Sequence, residues 1–203
     1  RKLGIPFDQF NAVTAHLGNG CSITKIHHGC SAATSMGFTP LEGLVMGTRC
    51  GDIDPYIVLY LLETDGMTIQ AVDSLLNKKS GLLGLSGVSN DMRELLGEAE
   101  LGNANAKLAV DVFCHRARKY IGAYAAVMGG TDAVVFTGGI GENSAPIRER
   151  ICQGLVCLGI EVSPEKNSAH APDIGVGRTP VLVVHTNEEL AIAQDTRRVL
   201  SGE

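Results

Sequence analysis

The stretch from Ala133 to Ile147 constrains the fold more than any other. Ala133-Val134-Val135-Phe136-Thr137 is short and apolar and reads as a buried strand. It runs directly into Gly138-Gly139-Ile140-Gly141-Glu142-Asn143, after which Ser144 and Pro146 open a helix reaching about Gly154. A strand that passes to a helix through glycine belongs to a layered α/β architecture. The pattern recurs near the carboxyl terminus. A strand at Val181–Val184 enters Thr186-Asn187-Glu188-Glu189, and a final helix runs to about Leu200.

The amino-terminal part adds strands of another kind. Ala12–Leu17, Cys21–His27 and Cys30–Thr34 are extended runs separated by Gly18-Asn19-Gly20 and by the polar turn His28-Gly29. Asn-Gly between two such runs is a strong hairpin signal, so the sheet is expected to be mixed. Spacing alone favours a plain type I′ turn at Asn19-Gly20. Met36–Pro55 is too irregular for a core element. Helices are expected at Tyr56–Glu63 behind Pro55, from a Thr68 cap to Asn77, at Asp91–Leu96, and from Ala104 to about Met128. In the longest, Ala109, Phe113, Ala117, Ile121 and Ala125 form the core stripe. Gly81–Gly87 reads as a glycine-punctuated loop. No repeat or linker divides the 203 residues, so a single domain is expected over 1–203.

Composition narrows the function. At 44% hydrophobic and 19% charged residues, the chain can bury a sizeable core. Seventeen basic against 22 acidic residues leave no excess for a nucleic-acid backbone, and no apolar run suffices for a membrane span. The six cysteines form no CxxC pair, and scattered reduced thiols suit a cytoplasmic protein.

Four segments carry polar chemistry. Phe136–Ile147 has the strand–turn–helix shape that presents backbone N–H groups to an anion. It is no P-loop, since no Lys follows, and Ser144 stands where a dinucleotide fingerprint needs its third Gly. A tight structural turn remains the alternative. The hairpin His16–Ser22 could cradle phosphates from a second side. Gly47–Pro55 sets Arg49 between glycines and follows it with Asp52 and Asp54, which could position the Arg, bind a cation or cap the next helix. Carboxylates at Glu188 and Glu189 could hold Mg²⁺ through water or simply favour a helix start. Together these parts suggest phosphoryl transfer, which relies on positioning and electrostatics more than on covalent work by the protein. The residues by themselves lead to a nucleotide- or phosphate-binding α/β protein.

Taken in order, HLGNGCS, MGFTPLEGLVMGTRCGDIDP, GVSNDMR, FTGGIGENS and HTNEELAIAQD closely resemble the carboxyl-terminal half of the acetate/propionate/butyrate kinase family, over about residues 8–200. The resemblance implies a ribonuclease H-like fold of the actin and sugar-kinase superfamily. It implies a substrate pair of ATP/ADP with a short-chain carboxylate or acyl phosphate, with Mg²⁺, and a homodimer through this half. His16, Leu17, Gly18, Asn19 and Gly20 would match the phosphate-contacting hairpin, with Asn19 close to the transferring group. Arg49 would match the catalytic arginine. Asp91, Met92 and Arg93 would lie near the ribose and base. Gly139, Ile140, Gly141, Glu142 and Asn143 would form the adenosine and α-phosphate loop, and Glu188 the Mg²⁺-associated carboxylate. Cys21 and Cys50 stand where the family more often has Ser. The family's amino-terminal motifs have no counterpart here, and the opening Arg1-Lys2-Leu3-Gly4 reads as the middle of a longer chain. The expectation is a nucleotide-binding half of a two-domain kinase, close to inactive by itself.

Overall fold

The computed structural model describes residues 3–201. Its centre is a five-stranded sheet in the order β3-β2-β1-β4-β5, formed by β1 (Ala12–Leu17), β2 (Cys21–His27), β3 (Cys30–Thr34), β4 (Ala133–Thr137) and β5 (Val181–Val183). The first three strands are antiparallel neighbours. β4 runs parallel to β1, pairing Ala12 with Ala133 and His16 with Thr137, and β5 runs parallel to β4. The sheet is therefore mixed, in the ribonuclease H-like arrangement that the resemblance implied. The register puts the carboxyl ends of β1, β4 and β5 at one end of the sheet and the β2–β3 turn at the other.

Helices flank it: α1 (Tyr56–Glu63), α2 (Ile69–Lys78), α3 (Gly81–Ser86), α4 (Met92–Glu100), α5 (Ala104–Val127), α6 (Gly138–Asn143), α7 (Ala145–Cys152), α8 (Pro164–Ser168) and α9 (Glu188–Ser201). The α5 stripe Ala109, Phe113, Ala117, Ile121 and Ala125 is buried, and its first four residues share one core with Val13, Ala15, Ile23 and Phe136. Caps fall where local chemistry puts them. Thr68 Oγ1 accepts from Ala71 N at 3.2 Å, Asp91 Oδ1 from Arg93 N at 2.8 Å, and Asp54 Oδ1 from Tyr56 N at 3.0 Å.

Four local expectations are corrected. Gly81–Gly87 is not a loop: residues 81–86 form α3, because Leu82 N and Leu83 N donate to Met46 O and Gly47 O and bury the segment against that irregular stretch. At Gly81, with φ +63°, a side chain would strike the Met46 and Arg49 backbones. Gly138–Asn143 is likewise a helical turn, broken from α7 at Ser144. α4 runs four residues past Leu96. Lastly, none of Gly18, Asn19 and Gly20 has a left-handed φ, so the first hairpin is not type I′. The primed geometry sits at His28 (φ +51°) and Gly29 (φ +74°) instead. The first tip is held in another shape by Gly18 N donating to Gly20 O and Gly47 N donating to Asn19 O.

All six cysteines are unpaired, and burial pushes the Cys21, Cys114 and Cys152 thiols up to about 12. Among the described residues no helix is long and apolar enough to cross a membrane.

Candidate functional site

Three segments converge at the carboxyl end of β1 and β4, the end of an open α/β sheet where ligands ordinarily bind. They enclose a cleft of about 870 Å³. The β1–β2 tip contributes Gly18 and Asn19. The start of α4 contributes Asp91, Met92 and Arg93, and α6 contributes Gly139, Ile140 and Asn143. These residues, far apart in sequence, were all expected at one site, and the fold brings them together.

Each wall is held in place. Asn19 Oδ1 accepts from Asn90 Nδ2 at 3.2 Å, and among the described residues the Asn19 side-chain amide nitrogen donates to no protein acceptor. Among the described residues the Asn19 and Gly20 N–H groups donate to no protein acceptor. Arg93 Nε and Nη2 both donate to the Asp91 carboxylate, at 3.0 and 2.5 Å. The Arg93 guanidinium, and then its N–H, hold that carboxyl down at about 2. Asn143 Nδ2 donates to Gly139 O at 2.9 Å and closes the α6 turn on itself. Ser144 also lines the cleft, and its Oγ, shielded from solvent, is the buried side-chain polar atom left without a partner among the described residues.

Other expected residues stand behind the cleft. Leu17 is fully buried, so only its backbone reaches the tip. His16 lies in β1 between Ser22 and Thr137 and does not line the cleft. Gly141 packs against β1, and its carbonyl accepts from Arg148 Nη1 at 2.9 Å. A Cβ on Gly20 would sit 3.7 Å from Arg49 Nη1, so Arg49 leans on the tip from outside the cleft. Among the described residues its guanidinium meets no carboxylate, and its nearest polar partner is Met46 Sδ at 3.5 Å. Asp52 is therefore not its positioner. That carboxylate pairs with Arg116 at 3.1 Å and accepts from Gly43 N and from the Tyr120 hydroxyl. Glu142 also faces the protein, taking bonds from Gly138 N, Thr186 N and His185. The Glu188 side chain lies outside what the structure describes.

Sequence reasoning missed Leu96, Gly97 and Glu100, which line the cleft from α4. They follow Arg93 at helical spacings of three, four and seven, a signal lost by ending the helix at Leu96. It also missed Arg148, fully buried, whose fork donates to Gly141 O, Glu142 O and Asn167 and fixes the carboxyl end of α6.

The model of the Acetokinase family matches residues 1–194. The chain belongs to that family. It is 52% identical over 205 residues to the acetate kinase of Methanosarcina thermophila, a match that covers 99% of this chain and 50% of that one. It superposes on the crystal structure of Porphyromonas gingivalis acetate kinase with a TM-score of 0.93 at 44% identity, covering 98% of this chain and 51% of that one. A propionate kinase from Francisella tularensis superposes with a TM-score of 0.88 at 48% identity, covering 92% of this chain and 48% of that one. The chain thus spans about half the length of the family members it matches.

Proposed function

We propose that this chain is the nucleotide-binding half of a kinase that moves the γ-phosphoryl group of ATP reversibly onto acetate, giving ADP and acetyl phosphate. The observation that carries the reading is the cleft itself, in which three separate motifs of the family meet. In this reading the base and ribose lie between α4 and α6, flanked by Asp91, Met92 and Arg93. The α-phosphate lies near the first turn of α6. The terminal phosphates point to the β1–β2 tip, where the free Asn19 and Gly20 amides donate to their oxygens. Arg49 stands beyond Gly20, its charge uncommitted, and stabilises the phosphoryl group as charge spreads in transfer.

Mg²⁺, when bound, would supply positive charge against that of the nucleotide phosphates. The described residues offer no cluster of three acidic, His or Cys ligands. The protein carboxylate that would hold the ion we assign to Glu188, at the start of the helix after β5. The acyl partner, and the second wall that closes the site, would come from an amino-terminal domain. Positioning dominates this chemistry, so the chain by itself turns over little. A homodimer and a cytoplasmic location belong to the same proposal. The exposed apolar face of α1 (Tyr56, Ile57, Leu59 and Tyr60) supports the first, and the unpaired thiols support the second. The propionate kinase likeness favours one second reading, a longer acyl acceptor, since a methylene changes discrimination by only about 1–3 kcal/mol.

The test is a calorimetric titration of Mg·ADP into the chain, with Asn143→Ala alongside. Saturable binding is expected, weakened about tenfold or more in the variant, whose α6 turn has lost its clasp. A chain that binds no nucleotide, or a variant that binds equally well, counts against the reading.

A further inference from the structure

Five glycines sit inside helices without a left-handed φ: Gly84, Gly97, Gly122, Gly139 and Gly141, of which Gly141 packs on β1 and Gly139 lies in the short α6 turn of the cleft, open like Gly97. Glycine is the weakest helix former after proline, so each needs a reason. At Gly84 a Cβ would lie 2.6 Å from Lys79 O, so the backbone approach excludes a side chain. At Gly122 a Cβ would meet Leu155 Cδ2 at 3.8 Å, an ordinary packing contact. At Gly97 it would meet nothing within 4 Å. The protein leaves that space open, and the space is the cleft.

α4 has two faces. Met92 and Leu95 are buried in the core, while Arg93, Leu96, Gly97 and Glu100 form the wall on the cleft side. Gly97 makes a recess in that wall, with apolar Leu96 beside it. Ile140 and Pro146 supply apolar surface from α6 and α7. A recess at Gly97 with Leu96, Ile140 and Pro146 as apolar flanks fits the faces of a flat heterocycle, with the Arg93 and Glu100 side chains at its polar edges.

We infer that Gly97 is a specificity-determining position of the nucleotide cleft: its missing side chain opens the slot that admits a purine base. The inference deepens the nucleotide reading above and rests on it. Two consequences have opposite signs. Adding a side chain at position 97 strengthens the helix and narrows the slot.

The experiment takes the 203-residue chain and its Gly97→Ala and Gly97→Leu variants. It measures thermal midpoints without ligand, and calorimetric affinities for Mg·ADP and Mg·UDP. Gly97→Ala should raise the midpoint by about 2–4 °C. Both variants should lose ADP affinity in order of size, roughly tenfold or more for Leu. The preference for the purine over the smaller pyrimidine should shrink in the same order. Binding of Mg·ADP that is indifferent to both substitutions overturns the assignment, as does an ADP/UDP preference that stays fixed. A fall in affinity that only tracks a falling midpoint does so too, because it marks a structural role. Absence of ADP binding by the unsubstituted chain strikes the nucleotide reading itself and takes this inference with it.

Discussion

The two ends of the sheet are built from similar glycine turns and treat their hydrogen-bond donors in opposite ways. At the end holding the β2–β3 turn, the donors are spent on the protein. His28 N donates to Asn11 Oδ1, Gly29 N to Phe10 O, and Asn11 N to Asp132 Oδ2. At the end holding the cleft, among the described residues, the Asn19 and Gly20 amides meet no protein acceptor, Ser144 Oγ has no partner and Arg49 meets no carboxylate. Exposed donors that the protein does not use are the ones a ligand can take from water, and the open end is where they stand. Glycine count alone does not distinguish the two. What distinguishes them is where each turn's donors go.

The largest effect that would sharpen this contrast is catalytic. In an enzyme completed with an amino-terminal half from a family member, Arg49→Ala should lower turnover on the order of 10³-fold, the scale of arginines in other phosphoryl-transfer sites. His28→Ala, at the closed end, should leave turnover unchanged. Steady-state acetyl phosphate formation reads both. An Arg49 variant that keeps most of its rate removes the guanidinium from the mechanism.

Next in size is a pair of glycine substitutions that ought to exchange effects between the ends. Gly29 has φ +74°, and a Cβ there would press on the Phe7 carbonyl. Gly29→Ala should cost about 2 kcal/mol, lowering the thermal midpoint by roughly 4–8 °C, with nucleotide affinity untouched. Gly20 has an ordinary φ, and its Cβ would only touch Arg49 Nη1. Gly20→Ala should change stability by less than about 0.5 kcal/mol and still weaken Mg·ADP binding several-fold. If Gly20→Ala proves the more destabilising of the two, the open tip is a structural turn and the contrast between the ends fails.

How much of this could be read from the sequence depended on whether a segment's shape is decided locally. β1, β2 and β3, the cap at Thr68, and the stripe of α5 follow from periodicity and side-chain chemistry, and they stand where expected. α3 and α6 do not follow from it. They are glycine-rich helices without an apolar repeat: α3 is held by donating to the Met46 and Gly47 carbonyls, and α6 by accepting from Thr186 N and the Arg148 guanidinium. The same holds at the first hairpin, where Gly47 overrides the turn type that Asn-Gly favours by itself. At the cleft, the motifs identified which segments meet. They could not say which way Glu142 and Asp52 point, because both carboxylates are claimed by donors distant in sequence, Thr186 and Arg116.

Glu142 is where the contrast comes closest to breaking, since it sits at the open end and yet is wholly committed to the protein. Burial would raise its carboxyl, but hydrogen bonds from Thr186 N, His185, Gly138 N and the Thr186 hydroxyl outweigh that and hold it at about 2, against an ordinary 4.5. The unfolded chain therefore takes up a proton as pH falls through about 4.5, whereas the folded chain does so only near 2. Between these values the unfolded state binds more protons, so stability present above pH 4.5 drains away as pH falls toward 2. Glu142→Gln should flatten that part of the profile and lower stability at neutral pH. Nucleotide affinity at pH 7 should shift less than with Asn143→Ala, because Glu142 ties α6 to the segment after β5 without facing the cleft. Denaturant melts from pH 7 to pH 2.5 on both proteins read the first effect, and an Mg·ADP titration reads the second. A variant with an unchanged acid limb and a lost nucleotide site would turn Glu142 around, from a brace of the fold to a group that faces the ligand.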